Sequence, residues 1–360
     1  MESNRLDRRG FLRTAGVAGK AAWEKECDEL VAAAKKQGKV SVFTVAGAGY
    51  RKAVDGFEKA FGIRVEHGSE GTASIWVPKM EREREAGIYS YDAVVVPPNS
   101  ALIRLKPKAV WDPIRPVLFR PDVLDDKAWR GGLEAQFMDL DKQLAFGYTY
   151  DAMHLVAIDT TEVHPDEIKG LRDLLHPKWK GRLMITDVRN GGIWIPMQWV
   201  RSRVPGADEL IRKLLVDQEP TFLRDDRARA EALVRKKFPI GLGITPAGMK
   251  EFRDAGVAGH VKFLDIPELD FILTYTVLLY NKAPRPNAAK LFINWFLTKE
   301  GQATFCREIP QNSSRTDVEP FNPDGVATPG KQYYFANHES EYEKQTETLK
   351  FISGLVGLTN

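Results

Sequence analysis

The chain has 360 residues, 43% of them hydrophobic, which is enough for two domains with a core each. Its net charge of +3, with 28% charged residues of both signs, gives no sign of a nucleic-acid partner. Two cysteines, Cys27 and Cys306, are too few for a zinc framework or a disulfide scaffold. No run reaches the ~18 apolar residues of a membrane span.

The N-terminal segment is similar to an export signal. Arg8-Arg9-Gly10-Phe11-Leu12 follows the twin-arginine pattern, but the apolar stretch after it is short for a signal core of ~7–15 residues. We interpret residues 1–22 as a twin-arginine-like signal and expect a periplasmic or otherwise extracytoplasmic protein. The alternative is a disordered basic tail.

Strand, loop and helix then alternate. An apolar stripe from Trp23 to Ala34 predicts a helix that ends at Gly38. Strands are predicted at residues 39–45, 63–67 and 91–96. This order predicts a parallel, helix-covered sheet, with ligand-binding loops where the strands end. Those loops are residues 46–50, 68–73 and 97–100.

A second lobe follows a β-rich crossing at residues 142–158. Its predicted strands are residues 183–186, 238–244 and 261–264, and its predicted helices include residues 207–216, 226–236 and 246–255. The apolar run 271–280 suits a return crossing. Two helices from Pro286 then rejoin the first lobe, and an acidic helix lies within residues 331–355.

The closing helices carry the most specific signal. Ala288–Leu297 reads AAKLFINWFL, and Ser314–Val318 reads SRTDV. These phrases resemble the bacterial extracellular solute-binding proteins of ABC importers, in their ferric-iron-type branch. The resemblance covers about residues 23–335. Supporting phrases are AAAKKQGKVSV at 32–42, KAWRGGL at 127–133, DLLHPKWKGR at 173–182 and TDVRNGG at 186–192.

The resemblance implies an α/β fold of the two-lobe periplasmic-binding type (type 2), each lobe a helix-covered, mostly parallel sheet. Lobe 1 would comprise residues 23–150 and 276–360, and lobe 2 residues 159–270. Hinge crossings are expected at residues 151–158 and 271–275. The chain would be no enzyme. It would capture a small solute in the interlobe cleft by hinge closure and deliver it to a membrane permease driven by an ATPase.

Catalytic motifs are missing from the sequence. It has no Gly-x-Ser-x-Gly, no His-Glu-x-x-His and no phosphate-binding loop, and its six histidines lack ligand spacing. We therefore expect no cofactor, and no partner other than the solute and the transporter. The protein would be a monomer. An α/β enzyme or cytoplasmic sensor on the same fold is one alternative.

A ferric-iron receptor is the other alternative. Relatives of that type usually hold the metal with adjacent tyrosines on a second-lobe loop. Here the matching loop reads Thr245-Pro246-Ala247, and the tyrosine pair Tyr333-Tyr334 lies elsewhere. We expect no metal and favour a small organic or phosphorylated anion, because backbone N–H groups and hydroxyls in the loops suit its oxygens.

The candidate ligand-binding residues share a place in these loops or at the first crossing. Ser69 and Thr72 are alternatively helix caps, and the segment Arg224–Arg227 is alternatively a capped helix start with surface ion pairs. Tyr148 and Trp194 are either apolar walls or core. The full set is Gly49, Tyr50, Ser69, Glu70, Thr72, Asn99, Tyr148, Asp187, Arg189, Asn190, Gly191, Trp194, Arg224 and Thr245.

Overall fold

A computed structural model describes residues 17–71, 73–188 and 191–357. The described α-helices are Val17–Gln37 (α1), Ala48–Phe61 (α2), Ala73–Glu85 (α3), Pro98–Ser100 (α4), Pro121–Leu124 (α5), Gly191–Arg203 (α6), Ala207–Arg212 (α7), Asp226–Val234 (α8), Pro246–Asp254 (α9), Pro286–Phe296 (α10), Lys299–Glu308 (α11) and Tyr342–Leu355 (α12). None of these helices is both long and apolar enough to cross a bilayer.

The described strands are mostly short. They are Lys39–Val45 (β1), Arg64–Glu70 (β2), Ala93–Val96 (β3), Trp111–Asp112 (β4), Ala145–Gly147 (β5), Asp151–Met153 (β6), Val156–Asp159 (β7), Leu183–Thr186 (β8), Thr221–Leu223 (β9), Ile240–Leu242 (β10), Val261–Leu264 (β11), Phe271–Leu273 (β12), Thr276–Tyr280 (β13) and Tyr334–Phe335 (β14).

Contacts within the chain divide it into two compact units. The first contains the residues up to Tyr150, Thr274–Asn322 and Asn337–Ser340. The second contains Asp151–Leu273, Pro323–Ala336 and the residues from Glu341 onward. The chain therefore passes between units after residues 150, 273, 322, 336 and 340, whereas the sequence predicted two crossings.

The first unit is built on a six-stranded mixed sheet in the order β2-β1-β3-β13-β4, with β5 also paired to β13. Strand β1 runs parallel to β2 and β3. Strand β13 runs antiparallel to β3, β4 and β5. The sheet is thus mixed rather than mostly parallel, because the returning strand enters it in the opposite direction.

The second unit contains two sheets. The larger has the order β11-β7-β10-β8-β9, in which β10, β8 and β9 are parallel and β7 is antiparallel to both neighbours. The smaller has the order β14-β12-β6. Each of its three strands lies next to a point where the chain enters or leaves the unit.

The recognisable closing helices supply the core of the first unit. Phe292, Trp295 and Phe296 are at most 1% exposed, as their helical spacing predicts. The ring of Trp295 lies 5.5 Å from that of Phe57, and the ring of Phe296 lies 4.8 Å from that of Phe305. Edge-to-face contacts of this kind add to the stabilisation from burial.

Residues 312–315 are all polar, yet the structure buries them. Arg315 is 2% exposed and donates from Nη1 to the carbonyl oxygens of Asp122 and Leu297, at 3.1 and 3.0 Å. Its Nε and Nη2 bond to Asp317. A buried guanidinium needs such partners, and the sequence pattern does not reveal them because two of them are distant in the chain.

Several predicted boundaries hold, and others shift. Strands 39–45, 183–186 and 261–264 are confirmed. Strand β2 runs on to Glu70, so residues 68–70 are not in a loop; the ladder to β1 continues to the pair Val45–Glu70 and supports these small polar residues. Helix α2 begins at Ala48, so Gly49 is helical.

Helix α12 belongs to the second unit, not to the first as expected. Ile352 on its inner face is 0% exposed and lies in the second core. The sequence spacing places Tyr342, Thr346, Leu349 and Ile352 on one face; Tyr342 and Ile352 are buried as predicted, whereas Thr346 is exposed. The spacing does not indicate which core receives that face, because an apolar stripe specifies burial and not a partner.

Candidate functional site

Three parallel strands of the second unit end side by side. Strands β10, β8 and β9 stand in register, and each is followed by a helix. Helices α9, α6 and α8 begin at Pro246, Gly191 and Asp226 respectively. Helix N-termini carry unpaired N–H groups and a partial positive charge, so this sheet edge favours anions.

Arg224 and Asp187 form the most distinctive pair at this edge. The Nε of Arg224 donates to Oδ2 of Asp187 over 3.4 Å. The arginine side chain is 66% exposed, while that of Asp187 is 8% exposed. No other described residue bonds to the guanidinium of Arg224. Because Asp187 holds only the Nε of Arg224, the two Nη groups are presented to an external oxygen ligand.

A second network joins the starts of α8 and α9. Thr245 donates from Oγ1 to Oδ2 of Asp226 over 2.9 Å and accepts from the N–H of Gly248 over 3.0 Å. Arg229, with 3% of its side chain exposed, donates to Oδ1 of Asp226 and to the carbonyl oxygen of Arg224, both over 2.8 Å. The buried arginine thus holds the backbone of Arg224 in place.

The alternative that residues 224–227 form a capped helix start is confirmed in part. Asp225 is the N-cap of α8 and accepts from the N–H of Ala228 over 2.7 Å. Arg227 pairs with Glu251 on α9 over 3.0 Å. These two contacts lie within α8 and between α8 and α9, whereas Arg224 contacts Asp187, which follows β8.

The first unit has a similar edge, where β1, β2 and β3 end at Val45, Glu70 and Val96. Ser69 is exposed there, and Glu70 lies 3.5 Å from Lys79. Asn99 lies on α4, directly after β3, and its Oδ1 accepts from Nδ2 of Asn337 over 2.5 Å.

Tyr50 and Tyr148 lie in the core, and Gly49 lies in α2, so none of the three stands in an open loop. A Cβ on Gly49 would lie 2.2 Å from the carbonyl oxygen of Glu308, so the helix packs too closely there for a ligand. Tyr50 is 5% exposed and Tyr148 is 0% exposed. Both rings pack edge-on against Phe305. The sequence could not separate a polar-tipped core aromatic from a site aromatic.

The other candidates have mixed outcomes. Thr245 caps α9, so its hydroxyl already has two protein partners. Trp194 is partly buried and packs against the second core. Gly191 is the first residue of α6. Thr72, Arg189 and Asn190 lie outside the described residues, as does the twin-arginine-like segment before residue 17.

A ferric ion would need several anionic oxygen ligands close together. No group of three or more His, Cys, Asp or Glu side chains among residues 17–71, 73–188 and 191–357 could hold one. Tyr334 stacks on Trp199 at 4.9 Å, while the hydroxyl of Tyr333 accepts from the N–H of Thr328. Burial raises the pKa of Tyr50 far above its usual value, and nearby Tyr275 adds to the shift. A phenol held neutral is a poor ligand for Fe³⁺, which prefers anionic oxygen.

The two-unit mixed α/β fold is that of the periplasmic binding proteins. The chain belongs to the bacterial extracellular solute-binding protein family, whose sequence model matches residues 52–331. It is therefore related to the solute-binding subunits of ABC importers, which are transport proteins rather than enzymes. Membership implies an extracytoplasmic location and a permease as partner.

Solved structures show the same fold at low sequence identity. Iron-bound HitA from Pseudomonas aeruginosa is 14% identical, with a TM-score of 0.69 over 88% of this chain and 99% of that one. AfuA from Actinobacillus pleuropneumoniae, with fructose-6-phosphate bound, is 16% identical, with a TM-score of 0.62 over 89% and 99%. The spermidine/putrescine-binding protein PotD from Streptococcus pneumoniae is 12% identical, with a TM-score of 0.65 over 88% and 99%. A comparison with curated protein sequences gives no match.

Proposed function

We propose that this protein captures a small organic or phosphorylated anion and delivers it to an ABC permease driven by its ATPase. The observation that carries the proposal is the Arg224–Asp187 pair at the edge where α6, α8 and α9 begin. An arginine oriented through Nε keeps a planar pair of N–H donors that matches a carboxylate or phosphate. The fold alone does not choose a solute, since the relatives above carry iron in one case and a sugar phosphate in another.

Other residues complete the proposed contacts. Asp187 orients Arg224, and the first turn of α6 supplies N–H groups. Ser69 and Asn99 contribute polar groups from the first unit. We also propose that binding is coupled to a hinge movement at the chain crossings, and that residues 1–22 direct export.

A thermal-shift screen tests the solute class. The panel contains carboxylates, phosphorylated compounds, polyamines and metal salts, including ferric citrate. A true solute at a hundredfold excess over its Kd stabilises the native state by ~2.7 kcal/mol, so an anion should raise Tm clearly. A polyamine response without an anion response contradicts the proposal. A visible charge-transfer band with ferric citrate would favour an iron receptor instead.

The variant Arg224→Ala should lose most of the anion-induced rise in Tm, because it removes the donor pair. Arg227→Ala is the matched control, since Arg227 has the same 66% side-chain exposure but pairs with Glu251. The anion-induced rise in Tm of Arg224→Lys should lie between those of the two alanine variants, because lysine keeps the positive charge but lacks the paired N–H donors of the guanidinium. An unchanged response in Arg224→Ala would remove this residue from the site.

Two further experiments test the remaining proposals. Small-angle X-ray scattering with and without the anion measures whether binding is accompanied by a hinge movement. Sequencing the N-terminus of the exported protein shows whether residues 1–22 are removed.

A further inference from the structure

Asn337 occupies an unusual position in the chain. It is the first residue of the short return Asn337–Ser340 to the first unit, directly after the stretch Pro323–Ala336 of the second unit. It is 2% exposed. Its Nδ2 donates to Oδ1 of Asn99 over 2.5 Å, and its Oδ1 accepts from the N–H of Thr274 over 2.9 Å. One buried amide thus joins two distant segments of the first unit.

The two segments have different roles. Thr274 is the first residue of the first unit after the chain leaves Leu273. Asn99 lies on α4, at the strand-end edge where the proposed solute contacts gather. The amide of Asn337 therefore connects a crossing point to a candidate solute-binding segment, α4. Asn337 itself follows another crossing, so two of the crossings meet at one side chain.

The segment around Asn337 is anchored on both sides. Glu339 accepts from Nζ of Lys106 over 2.8 Å and from the N–H of Leu140 over 2.7 Å, within the first unit. Tyr334 pairs with β12 and stacks on Trp199, within the second unit. Only Phe335 and Ala336 separate Tyr334 from Asn337. A backbone rotation in this short stretch therefore acts directly on Asn337.

We propose that Asn337 is a positioning residue that couples movement at these crossings to the short helix α4, which carries Asn99, and so sets the affinity for solute. The inference rests on the proposed function, because it requires Asn99 to face the solute. Asn337 itself stays buried and acts through Asn99. Loss of the hydrogen bonds of Asn337 frees α4, and a mobile segment binds more weakly because binding must then order it.

Hydrogen exchange tests the coupling without a solute. In Asn99→Ala, exchange should quicken at the amide of Thr274, although Asn99 is not its bonding partner, because Asn337 loses its hydrogen bond to Asn99 and holds Thr274 less rigidly. In Asn337→Ala, exchange should quicken at Thr274 and in residues 97–105. The control is Asn281→Ala, since Asn281 holds Asp112 through its Nδ2 over 2.6 Å elsewhere in the same unit. It should change neither region.

The affinity for the anion provides a second test, because a purely structural role of Asn337 would leave it unchanged. Calorimetry with the anion selected in the thermal-shift screen should show about fivefold weaker binding in Asn337→Ala, the equivalent of one net hydrogen bond. Asn281→Ala should bind like the wild type. In the Asn99→Ala background, Asn337→Ala should add no further loss, because the two act as one unit.

The outcomes separate the two proposals. If no anion binds the wild type, the proposed function has failed, and the inference on affinity falls with it. If the wild type binds and Asn337→Ala binds as tightly, only the inference is overturned. Additive losses in the double variant, or unchanged exchange at Thr274 in Asn99→Ala, overturn it as well. If Asn337→Ala does not fold, hydrogen exchange at Thr274 in Asn99→Ala still tests the inference.

Discussion

Asp270 carries a buried charge in the second unit. It is 3% exposed, and its Oδ2 lies 2.8 Å from Nζ of Lys331, which also pairs with Asp265. Burial raises the pKa of Asp270 to about 6, against the opposing effect of Lys331, and the nearby Asp265 adds to the rise. Lys331 belongs to the stretch 323–336, so this charge cluster fastens that stretch to its unit.

The raised pKa predicts a specific dependence of stability on pH. A group whose pKa is higher in the folded state stabilises it fully below the unfolded value, and this contribution is lost as pH rises through about 6. Urea unfolding should therefore show Asp270→Asn gaining stability relative to the wild type between about pH 4 and pH 7.5.

Asp317→Asn is the control with the opposite sign. Burial of Asp317 is outweighed by its bonds to Arg315, which hold its pKa below the usual range. Its contribution is present at neutral pH and lost as pH falls, so this variant should do most harm at neutral pH. Parallel pH profiles for the two variants would contradict the assignment.

The sequence predicted individual candidate site residues but not which of them contact each other. Asp187 and Arg224 were both candidates from loop position alone. Their contact joins positions 37 residues apart, and only the register of β8 with β9 brings them together. Arg229 was missed, and its one local signal is the spacing of three residues from Asp226 on the same helix.

Among the elements, the α10–α11 junction is the most tightly fitted. Thr298 caps α11 by accepting from the N–H of Gly301 over 3.0 Å, and its Oγ1 donates to the carbonyl oxygen of Trp295 over 2.7 Å. A Cβ on Gly301 would lie 2.0 Å from that same oxygen. Because the obstacle is backbone, it cannot move aside as a flexible side chain would.

Gly301→Ala should therefore destabilise the protein by about 2 kcal/mol or more. Gly354→Ala is the matched control, since Gly354 lies in α12 with no atom within 4 Å of its ideal Cβ. There alanine's better helix propensity should be neutral or gain up to about 1 kcal/mol. Chemical denaturation measures both, and equal effects would contradict the close approach.

The sequence predicted elements correctly where a local pattern determines them, and it missed elements that form only through pairing with a distant strand. The apolar stripes of α1, α2 and α10 are complete in the sequence, and all three helices form. Strand β9 was missed because three residues, Thr221–Leu223, give no periodicity, and they are a strand only through their ladder to β8. The run 271–280 divides at Thr274 and Tyr275, where the chain changes units.

At the scale of the molecule, the second unit depends on the end of the chain. Tyr334, at 4% exposure, and Ile352, at 0%, both belong to its core. The sequence predicted the acidic helix within residues 331–355 but no strand at Tyr334. It could not show how often the chain crosses, because that follows from long-range packing rather than from any local pattern.

A variant that ends after Ser340 should lose the fold of the second unit while the first remains ordered. It removes α12 and uncovers the core around Ile352, a loss far larger than a single substitution. Hydrogen exchange by peptide distinguishes the units: protection should fall in β8 and β10 and persist in β1 and β3. A variant lacking only residues 358–360 is the control. Uniform loss of protection would show instead that the units unfold together.

The five crossings also constrain how such a gene can be rearranged. Neither unit is one continuous coding segment, and any breakpoint after residue 151 and before residue 340 divides both of them. Exchanging one unit for that of a homologue therefore requires several simultaneous joints rather than one or two. Diversification by point substitution in the strand-end loops is the route that this architecture leaves open.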